Sequence, residues 1–90
     1  MLKLEPSTRF KKDVKHIFKS PKFKESEFKY VIHTLMNEQV LESKYLDHQL
    51  SGNWDDYREC HVQNDLLLIY KVEHGKLLLT RLGTHATLFG

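Results

Sequence analysis

The sequence predicts an α+β fold: two amphipathic helices packed on one face of a small, mainly antiparallel sheet. Three observations carry the prediction. Apolar residues recur twice at helical spacing in the first half of the chain, the pattern changes to strand alternation from Tyr57, and the strand-like runs are separated by tight turns. Ninety residues make a single domain, 1–90, with a thin core, since a chain of this size buries only about 60–65% of its unfolded surface.

Each element has its own reason. Met1 to Glu5 alternates apolar and charged residues, enough for a short strand, and Pro6-Ser7-Thr8 ends it. Ser7 or Thr8 is suited to cap a helix by accepting from its unpaired first-turn N–H groups. Phe10, Val14, Ile17 and Phe18 then fall on one helical face, with Lys11, Lys12, Lys15 and Lys19 off it. Ser20-Pro21 interrupts, and a second helix is predicted from about Glu25 to Glu38, its stripe being Phe28, Val31, Ile32, Leu35 and Met36. Gln39 to Asp56 has no sustained period and is expected to be mostly loop. From Tyr57 to Gln63, Arg58, Cys60 and Val62 share one face of a strand while Tyr57, Glu59, His61 and Gln63 share the other. Asn64-Asp65 and His74-Gly75 are turns around a central strand, Leu66–Val72, that is apolar on both faces. Lys76–Leu82 is the third strand of the meander, and Thr84–Gly90 is left as an unassigned tail. With both helices spent on one face, the other is expected to be open and polar, a platform for a ligand.

The totals exclude several classes. Hydrophobic residues are 40% and charged residues 29%, an ordinary globular balance. No run nears the ~18–20 apolar residues of a membrane span, and the start lacks a signal-peptide core. Cys60 is the single cysteine, so no internal disulfide forms, and a cytoplasmic location is expected. The net charge of +2 is unevenly spread: residues 1–30 hold nine Lys/Arg against four Asp/Glu, and the remainder five against eight. A basic front half fits a phosphate-rich or acidic partner, or simply two lysine-rich surface helices.

Six histidines are present. His16, His33 and His74, on helix surfaces and in a turn, are read as spectators. His48, His61 and His85 stand apart. His61 belongs on the open face, His48 lies in the loop before its strand, and His85 follows a strand about 10 Å away across the sheet. Asp65 and Arg81 sit near the ends of the same strands. A metal is disfavoured because no HxH or HExxH pair occurs. RNA cleavage suits the set better. Imidazoles near neutrality serve as base and acid, an arginine stabilises charge on phosphorus, and the nucleophile belongs to the RNA. Cys60 points toward the core. The competing readings of the residues are a plain binding module, an Asp65 that only shapes the turn, and an Arg81 paired with an acid such as Glu59.

Three segments, KYLDHQLSGNW (44–54), YRECHVQNDLLLIY (57–70) and RLGTHATLF (81–89), resemble in order and spacing the YafQ-like branch of the RelE superfamily, toxins of bacterial type II toxin–antitoxin systems. The resemblance implies a RelE-like β-α-α-β-β-β fold and a ribosome-dependent endoribonuclease that needs no metal or other cofactor. It carries functional roles onto His48, His61, Asp65, Arg81 and His85, and adds Phe89 as an aromatic that stacks on a base or holds the tail. His85 or His48 is then the base, and His61 an acid or phosphate ligand. Asp65 orients or tunes a histidine, Arg81 stabilises the phosphorane, and Lys11, Lys12, Lys15 and Lys19 meet ribosomal RNA phosphates. The implied partners are the ribosome, mRNA and a cognate antitoxin that holds a monomeric toxin in a larger complex. Asn64 departs from relatives that place proline before the aspartate. The rival reading is a non-catalytic ParE-like toxin, or a protein- or RNA-binding module, of the same fold.

Overall fold

The computed structural model describes residues 1–90. The elements run β1 (Lys3–Pro6), α1 (Thr8–Ile17), α2 (Glu25–Met36), β2 (His48–Gln49), β3 (Arg58–Gln63), β4 (Leu66–Glu73), β5 (Lys76–Gly83) and α3 (His85–Phe89). The five strands form one sheet in the order β1-β5-β4-β3-β2. β3, β4 and β5 are the expected antiparallel meander, β2 adds antiparallel to β3, and β1 runs parallel to β5. This is the predicted α+β, RelE-like arrangement with two additions, β2 and α3.

Local chemistry explains the boundaries. The Ser7 hydroxyl caps α1 by accepting from the Phe10 N–H at 2.9 Å. Phe10 is buried and Val14 and Ile17 are partly so, as the spacing predicts. Phe18, expected on the same face, is 48% exposed and stacks on Phe23 with centroids 4.7 Å apart. α2 buries Val31, Ile32 and Leu35 and stops at Met36, short of the predicted Glu38. Glu38 turns left-handed (φ 54°), and the next N–H, from Gln39, reaches back to the Thr34 carbonyl at 3.0 Å. His74 and Gly75 both have positive φ, 52° and 75°, the pairing that a tight two-residue hairpin requires.

The helices cover one face of the sheet. Cys60, Val62, Leu68, Tyr70, Leu77, Leu79 and Leu82 belong to the core cluster that includes Phe10, Val31, Ile32 and Leu35. Burial pushes the Cys60 thiol up, which keeps it protonated and removes it as a nucleophile. The second face differs from the bare polar platform that the sequence predicts. Leu67 and Ile69 lie on it and are fully buried, so it has an apolar floor. Gly83 helps to build the cover: it pairs with Leu67, and a Cβ there would stand 3.3 Å from the Leu88 side chain. The missing side chain lets α3 close against the sheet. No helix is long and apolar enough to cross a membrane.

Candidate functional site

Strand register places the site. His48 pairs with Glu59, Glu59 with Ile69, and Ile69 with Arg81, one row across four strands. The neighbouring row is His61, Leu67 and Gly83, after which Thr84 and His85 begin α3. Residues widely separated in sequence therefore meet on the second face, at the end where α3 folds over.

His85 is fixed by Asp65. The Asp65 carboxylate accepts from the His85 backbone N–H at 3.1 Å and faces its Nδ1 at 3.0 Å. A carboxylate only accepts, so Nδ1 carries the proton and Nε2 is left for chemistry. The backbone N–H and then the side chain of His85 hold the Asp65 carboxyl below the ordinary Asp value, which keeps it ionised at neutral pH. Asp65 sits left-handed in the β3–β4 turn (φ 46°), a conformation that aspartate tolerates. Thr84 caps α3 by accepting from the Thr87 N–H at 3.1 Å, so the imidazole is presented from an ordered first turn.

His61 stands beside it, with ring centroids 5.7 Å apart at 66°. Its Nε2 is 3.5 Å from Glu59 Oε1, and His48 Nε2 approaches the same oxygen at 3.7 Å. These lengths exceed a direct hydrogen bond and suit an electrostatic or water-bridged contact. Glu59 is thus the link between two imidazoles, and it is only 4% exposed. Glu59 is absent from the residues that the sequence points to, although its place two before His61 on one strand face is the signal for it. His48 is oriented from behind. Its Nδ1 donates to the Leu46 carbonyl at 2.6 Å, which turns Nε2 toward Glu59. The preceding Asp47 accepts from the Tyr70 hydroxyl and from Arg58 at 3.3 Å, pinning the loop. Burial, followed by the Asp47 contact, pushes the Tyr70 hydroxyl up, so it stays a donor.

Arg81 is placed otherwise than expected. It neither stands free over the hollow nor pairs with Glu59. Its Nε and Nη2 donate to the two oxygens of Asp13 at 2.8 and 3.3 Å. The cause is the edge of β5. β1 pairs with it only as far as Leu79, and beyond that the Ser7 hydroxyl donates to the Thr80 carbonyl while Asp13 accepts from the Leu82 N–H at 3.0 Å. Asp13 completes a strand edge that would otherwise be unpaired, and Arg81 neutralises it.

Phe89 is 45% exposed with its ring 6.3 Å from that of His85, so Leu88 rather than Phe89 anchors the tail. Lys11, Lys12 and Lys15 are exposed on α1, and Lys19 in the turn that follows it, in the helical layer on the far side of the sheet from His61. His16 and His74 are exposed, and His33 contacts Asn37 on its own helix. Glu59, His61 and His85 offer ligand atoms within 4.8 Å of one another, close enough to share a metal ion.

The model of the bacterial toxin YafQ of type II toxin–antitoxin systems matches residues 2–90. The mRNA interferase toxin YafQ of Escherichia coli (strain K12) is 42% identical over 88 residues, spanning 97% of this chain and 95% of that one. A chain of the E. coli DinJ–YafQ complex aligns with a TM-score of 0.88 at 40% identity, covering 100% of both. The copper-bound mutant toxin from Helicobacter pylori gives a TM-score of 0.93 at 39% identity, over 99% of this chain and 100% of that one.

Proposed function

The chain belongs to the YafQ family of bacterial type II toxin–antitoxin toxins, and we propose from this and from its site that it is a ribosome-dependent endoribonuclease that cuts translated mRNA. The observation that carries the reading is the convergence of three imidazoles with two carboxylates on one sheet face. Its relatives are named mRNA interferase toxins, and one is described in complex with DinJ. A cognate antitoxin is accordingly the proposed partner that silences this chain.

The proposed chemistry is metal-independent. His85, with Nδ1–H held by Asp65 and a lone pair on Nε2, takes the proton from a ribose 2′-OH. That oxygen attacks the adjacent phosphorus. His61 gives a proton to the departing 5′-oxygen, so the two rings end in exchanged protonation states and water restores them. Glu59 holds His61 and His48 toward the phosphate. Asp13 occupies two of the five N–H donors of Arg81, and the rest are available to the phosphorane. Phe89 stacks on a neighbouring base. Lys11, Lys12, Lys15 and Lys19 engage ribosomal RNA phosphates from the helical layer.

A second reading, a metal centre, is favoured by the spacing of Glu59, His61 and His85 and by the metal in the Helicobacter pylori relative. A divalent ion there would occupy the groups that move protons, so it is expected to inhibit. The deciding experiment is primer extension on a translated transcript, with wild type and each single histidine variant, in excess chelator. Cuts at the ribosomal A site that persist in chelator and vanish with His85→Ala support the proposal. Cleavage lost in chelator and restored by one equivalent of zinc would instead make the ion a participant.

A further inference from the structure

A groove leaves the catalytic hollow at the β3–β4 turn. A cleft of about 230 Å³, lined by His61 and Asp65 among others, also takes in Glu27, Gln63 and Asn64. A second cleft of about 390 Å³ shares those last three residues and adds Lys22 and Lys24. The two are successive stretches of one path, from the imidazoles to the α1–α2 loop.

That loop is tied down from the sheet. The Gln63 side chain makes two bonds to its backbone: Oε1 accepts from the Lys24 N–H at 2.8 Å, and Nε2 donates to the Lys22 carbonyl at 2.8 Å. Both span about forty residues and use the full hydrogen-bonding capacity of one amide edge. Lys24 is also the residue that opens α2, which has no side-chain cap of its own. The two lysines are exposed, and the ion-paired lysines are others: Lys29, Lys71 and Lys76. Of the two acids in the groove wall, Asp65 is held by His85. Glu27 accepts from the Tyr45 hydroxyl at 3.1 Å and, after Tyr45, raises the Lys44 pKa. Its charge is thereby turned toward partners of its own.

We infer that Lys22 and Lys24, held at fixed positions by Gln63, bind phosphates of the message strand as it leaves the catalytic hollow. Gln63 is then a positioning residue. The inference rests on the nuclease reading above and deepens it, by giving the cut strand an exit path. Flexible lysines on a free loop attract RNA weakly, because each must be ordered on binding. A loop already fixed at both its carbonyl and its amide loses less freedom. The fit to single-stranded RNA follows from the path itself, a mainly polar groove with two point charges at its far end.

The experiment uses the full chain on programmed ribosomes, with cleavage followed against salt. Lys22→Gln/Lys24→Gln is expected to raise KM about tenfold at moderate salt, to leave kcat within about twofold, and to flatten the salt slope by about 1.4, two single-strand phosphate contacts. Gln63→Met should raise KM about threefold to tenfold in the wild-type background and do nothing further in the double-lysine background, because it acts only through those side chains. A message with uncharged methylphosphonate linkages one to three nucleotides from the cut should reproduce the double-lysine defect in unmutated protein. This arm separates message from ribosomal phosphates and does not depend on any variant folding. An unaltered KM with the neutral message, or additive effects of Gln63→Met and the lysine pair, overturns the inference. Undiminished cutting in those same assays leaves the nuclease reading standing, whereas absence of cutting by wild type removes both.

Discussion

Asp13 and Asp65 make the same two kinds of bond in different surroundings. Each carboxylate accepts a backbone N–H from the chain near the end of β5, Leu82 for one and His85 for the other, and each holds a basic side chain. Asp13 and Arg81 retain only 12% and 14% of their side-chain exposure, whereas Asp65 and His85 keep 61% and 59%. Depth decides what the pair is for. In the shaded pair, attraction is weakly screened and losing one partner strands a charge, so the pair supports the fold. In the open pair, water screens the charges and the lasting effect is directional: one ring nitrogen is occupied and the other is aimed outward. The same motif closes a strand edge in one place and prepares a proton carrier in the other.

The comparison breaks most sharply at His85. His85→Ala is expected to lower message cutting by about 10³-fold, within the range of general acid–base contributions, with the thermal midpoint nearly unchanged. Primer extension and calorimetry on one preparation test both halves, and a large loss of stability would put His85 with the structural pair. Asp13→Ala should do the opposite. Its expected cost is about 2–3 kcal/mol of stability in urea titrations, less than for a fully dry pair because some solvent reaches both side chains. For a domain of this size that is a fall in Tm of about 10–20 °C. Arg81→Ala added to it should cost little more, since the pair is already gone; full additivity would show that they do not act together.

Asp65→Asn sharpens the contrast. It is expected to reduce cutting on the order of 10–100-fold through loss of the carboxylate charge that fixes the Nδ1–H tautomer of His85, while Tm stays near wild type. An equal fall in stability from Asp65→Asn and Asp13→Ala would erase the distinction by depth. The smallest effect concerns acid. Because His85 holds the folded Asp65 carboxyl below its ordinary value, the link it makes is fully present above about pH 4 and is lost as pH falls through that lowered value. The main titration step of the Asp65 carboxyl carbon shift, followed by NMR, should therefore lie below about pH 4. Movement centred at or above the ordinary Asp range would mean that the contact is not made in solution.

Much of this was legible from local pattern. The helical stripes of α1 and α2, the Ser7 cap, the two hairpin turns and the inward Cys60 follow from spacing and residue type. So does the gathering of His48, His61 and His85 near Asp65, since strand alternation and meander order bring them to one face. β2 is not legible because two residues show no period, nor is α3, because five residues are too few for an amphipathic pattern. Glu59 is not legible because a mid-strand acid reads as a solvated side chain, and only the folded sheet brings it between two imidazoles. That Arg81 shares its donors with Asp13 is not legible either, because the two are sixty-eight residues apart.

What the sequence determined by itself is therefore what acts at short range: which residues coil, which alternate, which turn, and which face each side chain takes. Only the tertiary structure decided which acid each base received, how deep each pair lies, and that the β5 edge needed Asp13. Those outcomes depend on where β1 stops and how α3 folds back, which are set by the whole packed chain and by no single segment of it.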